Sequence, residues 1–186
     1  MPVLNKNLLR SDVKKLHQKS QKILTKGAIE FADREGIDMV KLLLIISDGN
    51  KKFFDLLATG EGSAEDLYDL ISRDQMKTLA RMYRYTMEYK GDYLMKQHPI
   101  SLDVKVEEID AGGVPAEWEI SPGVDENKVL MYFHGGGQVL GSPKSGRPYT
   151  VEIGKAAGVK VLSVDYSLAP EKPFPAGLND CFTAYK

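Results

Sequence analysis

Apolar residues in the first part of the chain recur at three- and four-residue steps against a charged background. This spacing is typical of amphipathic helices that bury one face. The recurring residues are Leu9, Val13, Leu16, Ile23, Leu24 and Phe31, followed by Leu67, Leu70, Ile71, Met76, Leu79, Met82, Tyr83 and Met87. Ser11 and Ser63 are predicted to be helix N-caps, and Gly91 is predicted to end the last helix. Residues 1–98 are therefore predicted to form a helical region.

The apolar period shortens to two from about residue 100, as expected of β-strands. The stretch "DVKVEEID" alternates, a turn is predicted at Gly112 and Gly113, and "PAEWEI" completes a predicted hairpin. Residues 121–127 have the composition of a loop. The uninterrupted apolar runs at residues 128–133 and 159–166 are typical of parallel strands that are buried on both faces.

A helix is predicted between these two runs, at residues 149–157, with Gly158 as its left-handed cap. Strand, glycine-rich loop, helix and strand make one βαβ crossover. A final helix is predicted to start near Pro175. Residues 99–186 are therefore predicted to be part of an α/β core, joined to the helical region before it.

Composition narrows the class of protein. The 186 residues carry 25 basic and 26 acidic side chains, so there is no positive field to hold a nucleic acid. The most apolar run, residues 39–47, is far shorter than a membrane span requires. The single cysteine, Cys181, excludes an internal disulfide and is predicted to be a buried, inert thiol in a helix. A cytoplasmic protein is predicted.

A histidine and three glycines follow the predicted strand at residues 128–133. They are His134, Gly135, Gly136 and Gly137. Ligands of α/β sheets bind beyond the carboxyl ends of the strands. Because glycine has no Cβ, the backbone can approach a ligand closely, and its N–H groups can stabilise negative charge that develops on an oxygen. This pattern predicts an oxyanion hole.

Two other interpretations of these glycines stay open. The first is a tight turn with no chemical role. The second is a phosphate cradle, but the spacing to Gly141 is not that of a dinucleotide-binding loop, and no Gly-Lys-Ser/Thr sequence is present.

Two motifs together resemble the hormone-sensitive-lipase family of α/β-hydrolases. They are "HGGG" at residues 134–137 and "DYSLAPE" at residues 165–171. The resemblance implies that Gly136 and Gly137, with Gly135 shaping the loop, supply the oxyanion-hole N–H groups. It also implies that His134 organises the loop, that residues 1–98 contribute to a cap over the active site, and that the substrate is a carboxylic ester. No metal or organic cofactor is implied.

This chain departs from the family pattern at two positions. Gln138 stands where a bulky apolar residue often follows the glycines, and it is expected to alter the wall of the substrate pocket. Tyr166, which matches the family motif, is expected to contact the substrate with Gln138. Ser167 stands where an arginine is common, which places local ion pairing in doubt. Asp165 is expected to be part of the motif's scaffold rather than a catalytic acid.

The nucleophile is missing from the sequence. The family carries its serine in a G-x-S-x-G elbow, and no glycine in this chain has a serine two residues later. His17 and His98 do not follow a late strand, where the family's catalytic base lies. The chain is therefore expected to be an incomplete core that is inactive alone. Val161, Leu162 and Val164 are expected to lie on an unpaired strand, which favours self-association.

The resemblance thus implies a carboxylic-ester hydrolase of the serine esterase type, with this chain supplying the oxyanion-hole half. The alternative is a non-catalytic ligand-binding or interaction module built on a hydrolase-like sheet.

Overall fold

The computed structural model describes residues 11–38, 40, 42–44, 46–47, 72–97 and 103–186. Two long helices lie in the first part of the chain: α1 at Ser11–Glu35 and α2 at Arg73–Gln97. The described part of α1 starts at Ser11, and the assignment of Ser11 as its N-cap stays a prediction, because the residues before it lie outside the described ones. The sequence predictions for Leu9, Ser63, Leu67, Leu70, Ile71 and His98 lie outside the described residues.

Helices α1 and α2 pack side by side in opposite directions. Arg81 pairs with Glu35, whereas Gly27, earlier in α1, lies against Tyr89, later in α2. The predicted apolar stripes meet in this contact, where Phe31, Ala32 and Met82 are buried with Leu42. The helix pattern of the sequence is therefore confirmed over the described part of this region.

The prediction that Gly91 ends its helix is wrong, because α2 continues to Gln97. A Cβ at Gly91 would lie 2.8 Å from the carbonyl oxygen of Lys144. One residue further on, Asp92 makes an ion pair of 2.9 Å with Lys144. Gly91 therefore allows a close approach between α2 and the segment around Lys144.

Four strands form one mixed sheet in the order β1-β2-β4-β3. They are β1 at Lys105–Asp110, β2 at Pro115–Ile120, β3 at Asp125–Phe133 and β4 at Val159–Val164. Strand β2 is antiparallel to β1 and to β4, and β3 is parallel to β4. The predicted hairpin and the predicted parallel pair are confirmed, but β3 begins at Asp125, within the stretch predicted to be a loop.

The positions of the two parallel strands differ from the expectation. Strand β4 is central and buried, with β2 on one side and β3 on the other, so Val161, Leu162 and Val164 are not on an unpaired strand. Strand β3 is on the outside, and Val129 is 50% exposed. The prediction that residues 128–133 are buried on both faces is therefore wrong within the described part of the chain, where no strand covers the outer edge of β3.

Two further helices cover the two faces of the sheet. They are α3 at Pro143–Ala157 and α4 at Ala176–Tyr185. Helix α3 ends at Gly158 with φ 68°, as predicted, but it begins at Pro143 instead of Tyr149. Ser142 caps it, because the Ser142 hydroxyl accepts from the Ser145 amide and the Ser145 hydroxyl accepts from the Ser142 amide.

Successive residues of β4 alternate between the two helical layers. Leu162 and Val164 pack with Ala116 and Tyr166 on the side of α4, where Cys181 and Ala184 contact them. Val161 faces α3, where a Cβ at Gly154 would lie 2.6 Å from the Val161 side chain. Helices on both faces of a sheet make this the α/β fold class predicted from the sequence.

Candidate active site

The loop after β3 folds into a tight turn in which several residues have positive φ. Gly136 has φ 130°, Gly137 has φ 63° and Gln138 has φ 59°. The Gly136 carbonyl accepts hydrogen bonds from the amides of Val139 at 3.1 Å and Leu140 at 3.0 Å. A Cβ at Gly136 would lie 2.1 Å from the Leu140 carbonyl oxygen, so only glycine fits this turn.

The amides of Gly136 and Gly137 donate to no protein acceptor within the described ranges. Both residues are exposed, and Gln138, which follows them, lines a cavity of about 520 Å³. Two unpaired N–H groups in successive residues are able to bind a negatively charged oxygen. This geometry has the free donors that an oxyanion hole needs.

His134 lies beneath the loop. It is 5% exposed, and its ring stacks on the Tyr166 ring with centroids 4.2 Å apart. Its Nδ1 lies 3.0 Å from the Gly135 carbonyl oxygen, and the Tyr166 hydroxyl donates to the His134 carbonyl. Burial lowers the pKa of His134, so the ring is neutral at pH 7. These contacts tie the histidine to the loop backbone.

Gly141 was not among the predicted site residues, yet it closes the loop. A Cβ there would lie 2.3 Å from the Nδ1 of His134 and 2.5 Å from the carbonyl oxygen of Gly135. Its φ of 95° also belongs to the region that side chains disfavour. The signal in the sequence was present, since a fourth glycine follows the first three within a few residues.

A cavity of about 520 Å³ opens beside the loop. Its lining residues are mainly apolar: Phe133, Gln138, Tyr166, Gly177, Leu178, Cys181, Phe182 and Tyr185. The structure thus brings Gln138 and Tyr166, both predicted to contact substrate, to one wall. Cys181 lies in a helix, as predicted, but it is half-buried and lines this cavity. Burial raises the pKa of its thiol, which therefore stays protonated at pH 7.

The "DYSLAPE" segment lies beside the glycine loop. The Ala169 amide donates to the Gln138 carbonyl at 2.8 Å. The Asp165 amide donates to the Pro115 carbonyl at 2.9 Å, which attaches the start of the segment to β2. The Ser167 amide donates to Asp180 at 2.8 Å.

Although Ser167 cannot form an ion pair, an arginine from another part of the chain pairs with the "DYSLAPE" segment. Arg84 of α2 makes an ion pair of 2.9 Å with Glu171 of the "DYSLAPE" segment. The same guanidinium donates to the carbonyl oxygens of Val139 and Ala169. Sequence reasoning missed this residue, because nothing in the local pattern of a helix indicates a partner 85 residues away.

A buried carboxyl group lies on the α3 side of the sheet, away from the cavity. Glu119 of β2 is 2% exposed, and it accepts hydrogen bonds from the hydroxyls of Thr150 and Ser163. Burial raises its pKa to about 7, and the neighbouring Glu117 adds to the rise. Arg147 forms a bidentate pair with Glu117, at 2.7 and 2.6 Å.

Residues 130–186 match the alpha/beta hydrolase fold family. An acetyl-hydrolase of Streptomyces hygroscopicus is 41% identical over 78 residues, which are 42% of this chain and 26% of that protein. The hormone-sensitive lipase of Homo sapiens is 46% identical over 57 residues, which are 31% of this chain and 5% of that protein. The matches thus span about a quarter or less of these two relatives.

Two solved structures of esterases are also similar to part of this chain. A mutant of the esterase E40 is 37% identical with a TM-score of 0.50, over 63% of this chain and 37% of that one. The esterase E25 is 28% identical with a TM-score of 0.53, over 62% of this chain and 35% of that one.

Within the described residues, no helix has the length and hydropathy to cross a bilayer.

Proposed function

We propose, from the premise that this chain contains part of a hormone-sensitive-lipase-like α/β-hydrolase, that it supplies the oxyanion-binding element of a carboxylic-ester hydrolase. The observation that carries the proposal is the pair of unpaired amides at Gly136 and Gly137, directly before Gln138, which lines an apolar cavity.

In the proposed reaction, a nucleophile adds to the ester carbonyl and its oxygen becomes negative. The amides of Gly136 and Gly137 donate to that oxygen. The loss of one such donor typically costs about 3–4 kcal/mol of transition-state stabilisation. His134 is neutral and buried, so its role is to hold the Gly135 carbonyl rather than to move a proton. Gln138 and Tyr166 form the wall against which a short or medium-length chain would lie.

The printed sequence has no G-x-S-x-G elbow, so we propose that the 186-residue chain does not turn over esters alone. Hydrolysis of p-nitrophenyl butyrate by the purified chain is expected at the background rate. Turnover that a serine-directed inhibitor abolishes would show that a nucleophile is present after all.

The oxyanion site itself is tested by titrating the chain with butyrate and following its amide NMR spectrum. Butyrate is expected to shift the amide signals of Gly136 and Gly137 saturably, because its carboxylate matches the two donors and its chain fits the cavity. Gly136→Ala is expected to abolish the shifts, because a Cβ there collides with the Leu140 carbonyl. Gly123→Ala is the matched control, since Gly123 also has positive φ but has open space around it. If butyrate leaves both amides unchanged, the proposal is wrong.

A non-catalytic module that binds an apolar carboxylic acid is the second candidate, and the same cavity and free amides favour it. The two candidates differ in the shape of anion they prefer. A hydrolase site favours a tetrahedral anion, as in the transition state, whereas an acid-binding module favours a planar carboxylate. Methyl butylphosphonate that binds more tightly than butyrate supports the hydrolase; the reverse order supports the binding module.

We also propose a cytoplasmic location, supported by the single cysteine, and self-association of the isolated chain. The outer edge of β3 supports self-association. Its backbone groups have no strand partner among the described residues, and such edges favour pairing with a second chain.

A further inference from the structure

Arg84 connects the helical region to both segments of the candidate site. Its side chain is 19% exposed. Its Nε donates to the Val139 carbonyl at 2.7 Å, and its Nη2 donates to the Ala169 carbonyl at 2.5 Å and to the Glu171 carboxylate at 2.9 Å. Three acceptors from two separate loops therefore share one guanidinium.

The acceptors are close to the proposed oxyanion donors. Val139 is two residues after Gly137, and its own amide bonds to the Gly136 carbonyl. The second loop is joined to the first by the bond from the Ala169 amide to the Gln138 carbonyl. The turn that presents the amides of Gly136 and Gly137 is thus held from two sides, by its neighbouring loop and by Arg84.

Arginine suits this position for chemical reasons. Its guanidinium is planar and permanently charged, and it donates in several fixed directions at once. Hydrogen bonds from a charged donor are stronger than those between neutral groups, particularly where the side chain is shielded from water. Ser167 stands where the related family commonly has an arginine, and in this chain Arg84 supplies a cation to the same segment by pairing with Glu171.

We infer that Arg84 is a positioning residue for the oxyanion loop, and that it makes the geometry of that loop depend on the docking of α2. This inference rests on the proposed function, since it assigns a purpose to the loop. Its structural part, that Arg84 immobilises the loop, stands separately. Arg84 acts through the Val139 carbonyl and touches no reacting atom.

The first test measures amide hydrogen exchange by NMR in the full chain. The amides of Leu140 and Ala169 report on the turn, because each is hydrogen-bonded inside the site. Arg84→Ala is expected to speed the exchange of both amides at least tenfold. Arg84→Lys is expected to restore part of the protection, because a lysine keeps the charge but lacks the planar fork whose Nε and Nη2 reach the two carbonyls. Arg81→Ala is the matched control: it removes an arginine on the same helix whose partner is Glu35.

The second test compares two probes of the same chain length. Arg84→Ala is expected to weaken butyrate binding about tenfold while n-butanol, which lacks the carboxylate, binds as before. A general loss of packing would weaken both probes equally and would contradict the inference. Equal amide exchange rates in Arg84→Ala and Arg81→Ala would overturn the inference too.

If the wild-type chain fails to bind butyrate, the proposed function is wrong, but the exchange comparison still decides whether Arg84 holds the loop. If Arg84→Ala does not fold, Arg84→Lys is compared with Arg81→Ala in both tests.

Discussion

The glycines of the candidate site serve different physical purposes, although the sequence shows them as one cluster. A side chain at Gly136 or Gly141 would overlap backbone or ring atoms, whereas Gly137 and Gly135 have open space around them. At Gly137, glycine is favoured only by the positive φ. At Gly135, the contact is made by the carbonyl oxygen, which lies 3.0 Å from the Nδ1 of His134. The four residues are therefore expected to tolerate alanine very differently.

Gly141→Ala is expected to destabilise the chain by several kcal/mol, because the new Cβ overlaps His134 and the Gly135 carbonyl. Gly137→Ala is expected to cost only about 1 kcal/mol, the usual penalty for a left-handed alanine. Urea unfolding of both variants measures the difference. Equal destabilisation would show that the contact between Gly141 and His134 is not as close as described.

Glu119 is expected to make stability depend on pH. Its pKa is about 7 when folded and near 4.5 when unfolded, so between these values the folded chain keeps a proton that the unfolded chain releases. The free energy of unfolding that Glu119 contributes is therefore fully present below about pH 4.5 and is lost as the pH rises to about 7. The loss is at most roughly 1.4 kcal/mol per pH unit.

Glu119→Gln removes this titration, so its unfolding free energy is expected to vary less than that of the wild type from about pH 5 to about pH 8. The Thr150 hydroxyl can reorient to accept from the new amide. Glu126→Gln, at an exposed position of β3, is the control. If the unfolding free energies of the wild type and of Glu119→Gln vary equally with pH, Glu119 is not the source of the pH dependence.

At the scale of elements, the sequence pattern predicted most helices and strands, and the errors occur where tertiary contacts override local signals. No local signal in the sequence indicates that Glu117 and Glu119 of β2 are buried, because α3, a distant segment, covers them and supplies Arg147 and Thr150 as partners. Gly91 has a strong local preference to end a helix, but it lies inside α2. The first six residues of α3 were missed although Ser142-Pro143 is a recognisable helix start.

Gly91→Ala separates helix propensity from packing. In an isolated helix, alanine is about 1 kcal/mol more favourable than glycine. Here the new Cβ would lie 2.8 Å from the Lys144 carbonyl oxygen, which belongs to backbone and cannot easily move. Gly91→Ala is therefore expected to lower stability and to weaken the contact between α2 and α3.

Thermal unfolding followed by circular dichroism measures this effect. Gly27→Ala is the comparison, since the nearest atoms there, from Tyr89 and Thr86, lie 3.2–3.3 Å from the new Cβ. It is expected to cost less than Gly91→Ala. A Gly91→Ala variant that melts at a higher temperature than the wild type would contradict the described packing.

At the scale of the whole molecule, the candidate site combines what the sequence could and could not provide. The loop and the strand before it are contiguous, so a short motif was enough to locate Gly136 and Gly137. The cavity is different, because α4 contributes five of its eight lining residues. Arg84 reaches Val139 across 55 residues of sequence. Contacts of this kind depend on how helices dock, which no local periodicity determines.

The two outer edges of the sheet differ in charge, and this difference decides which edge is expected to associate. Strand β1 is "KVEEID", where charged side chains discourage pairing, whereas residues 129–133 of β3 are "VLMYF". Val129→Lys places a charge on the apolar edge, so it is expected to reduce the association of the isolated chain. Glu108→Gln changes the net charge equally but lies on β1, so it is expected to have no effect. Sedimentation velocity at several concentrations measures both. A wild-type chain that sediments as a monomer throughout, or an equal response to the two substitutions, would rule out association through β3.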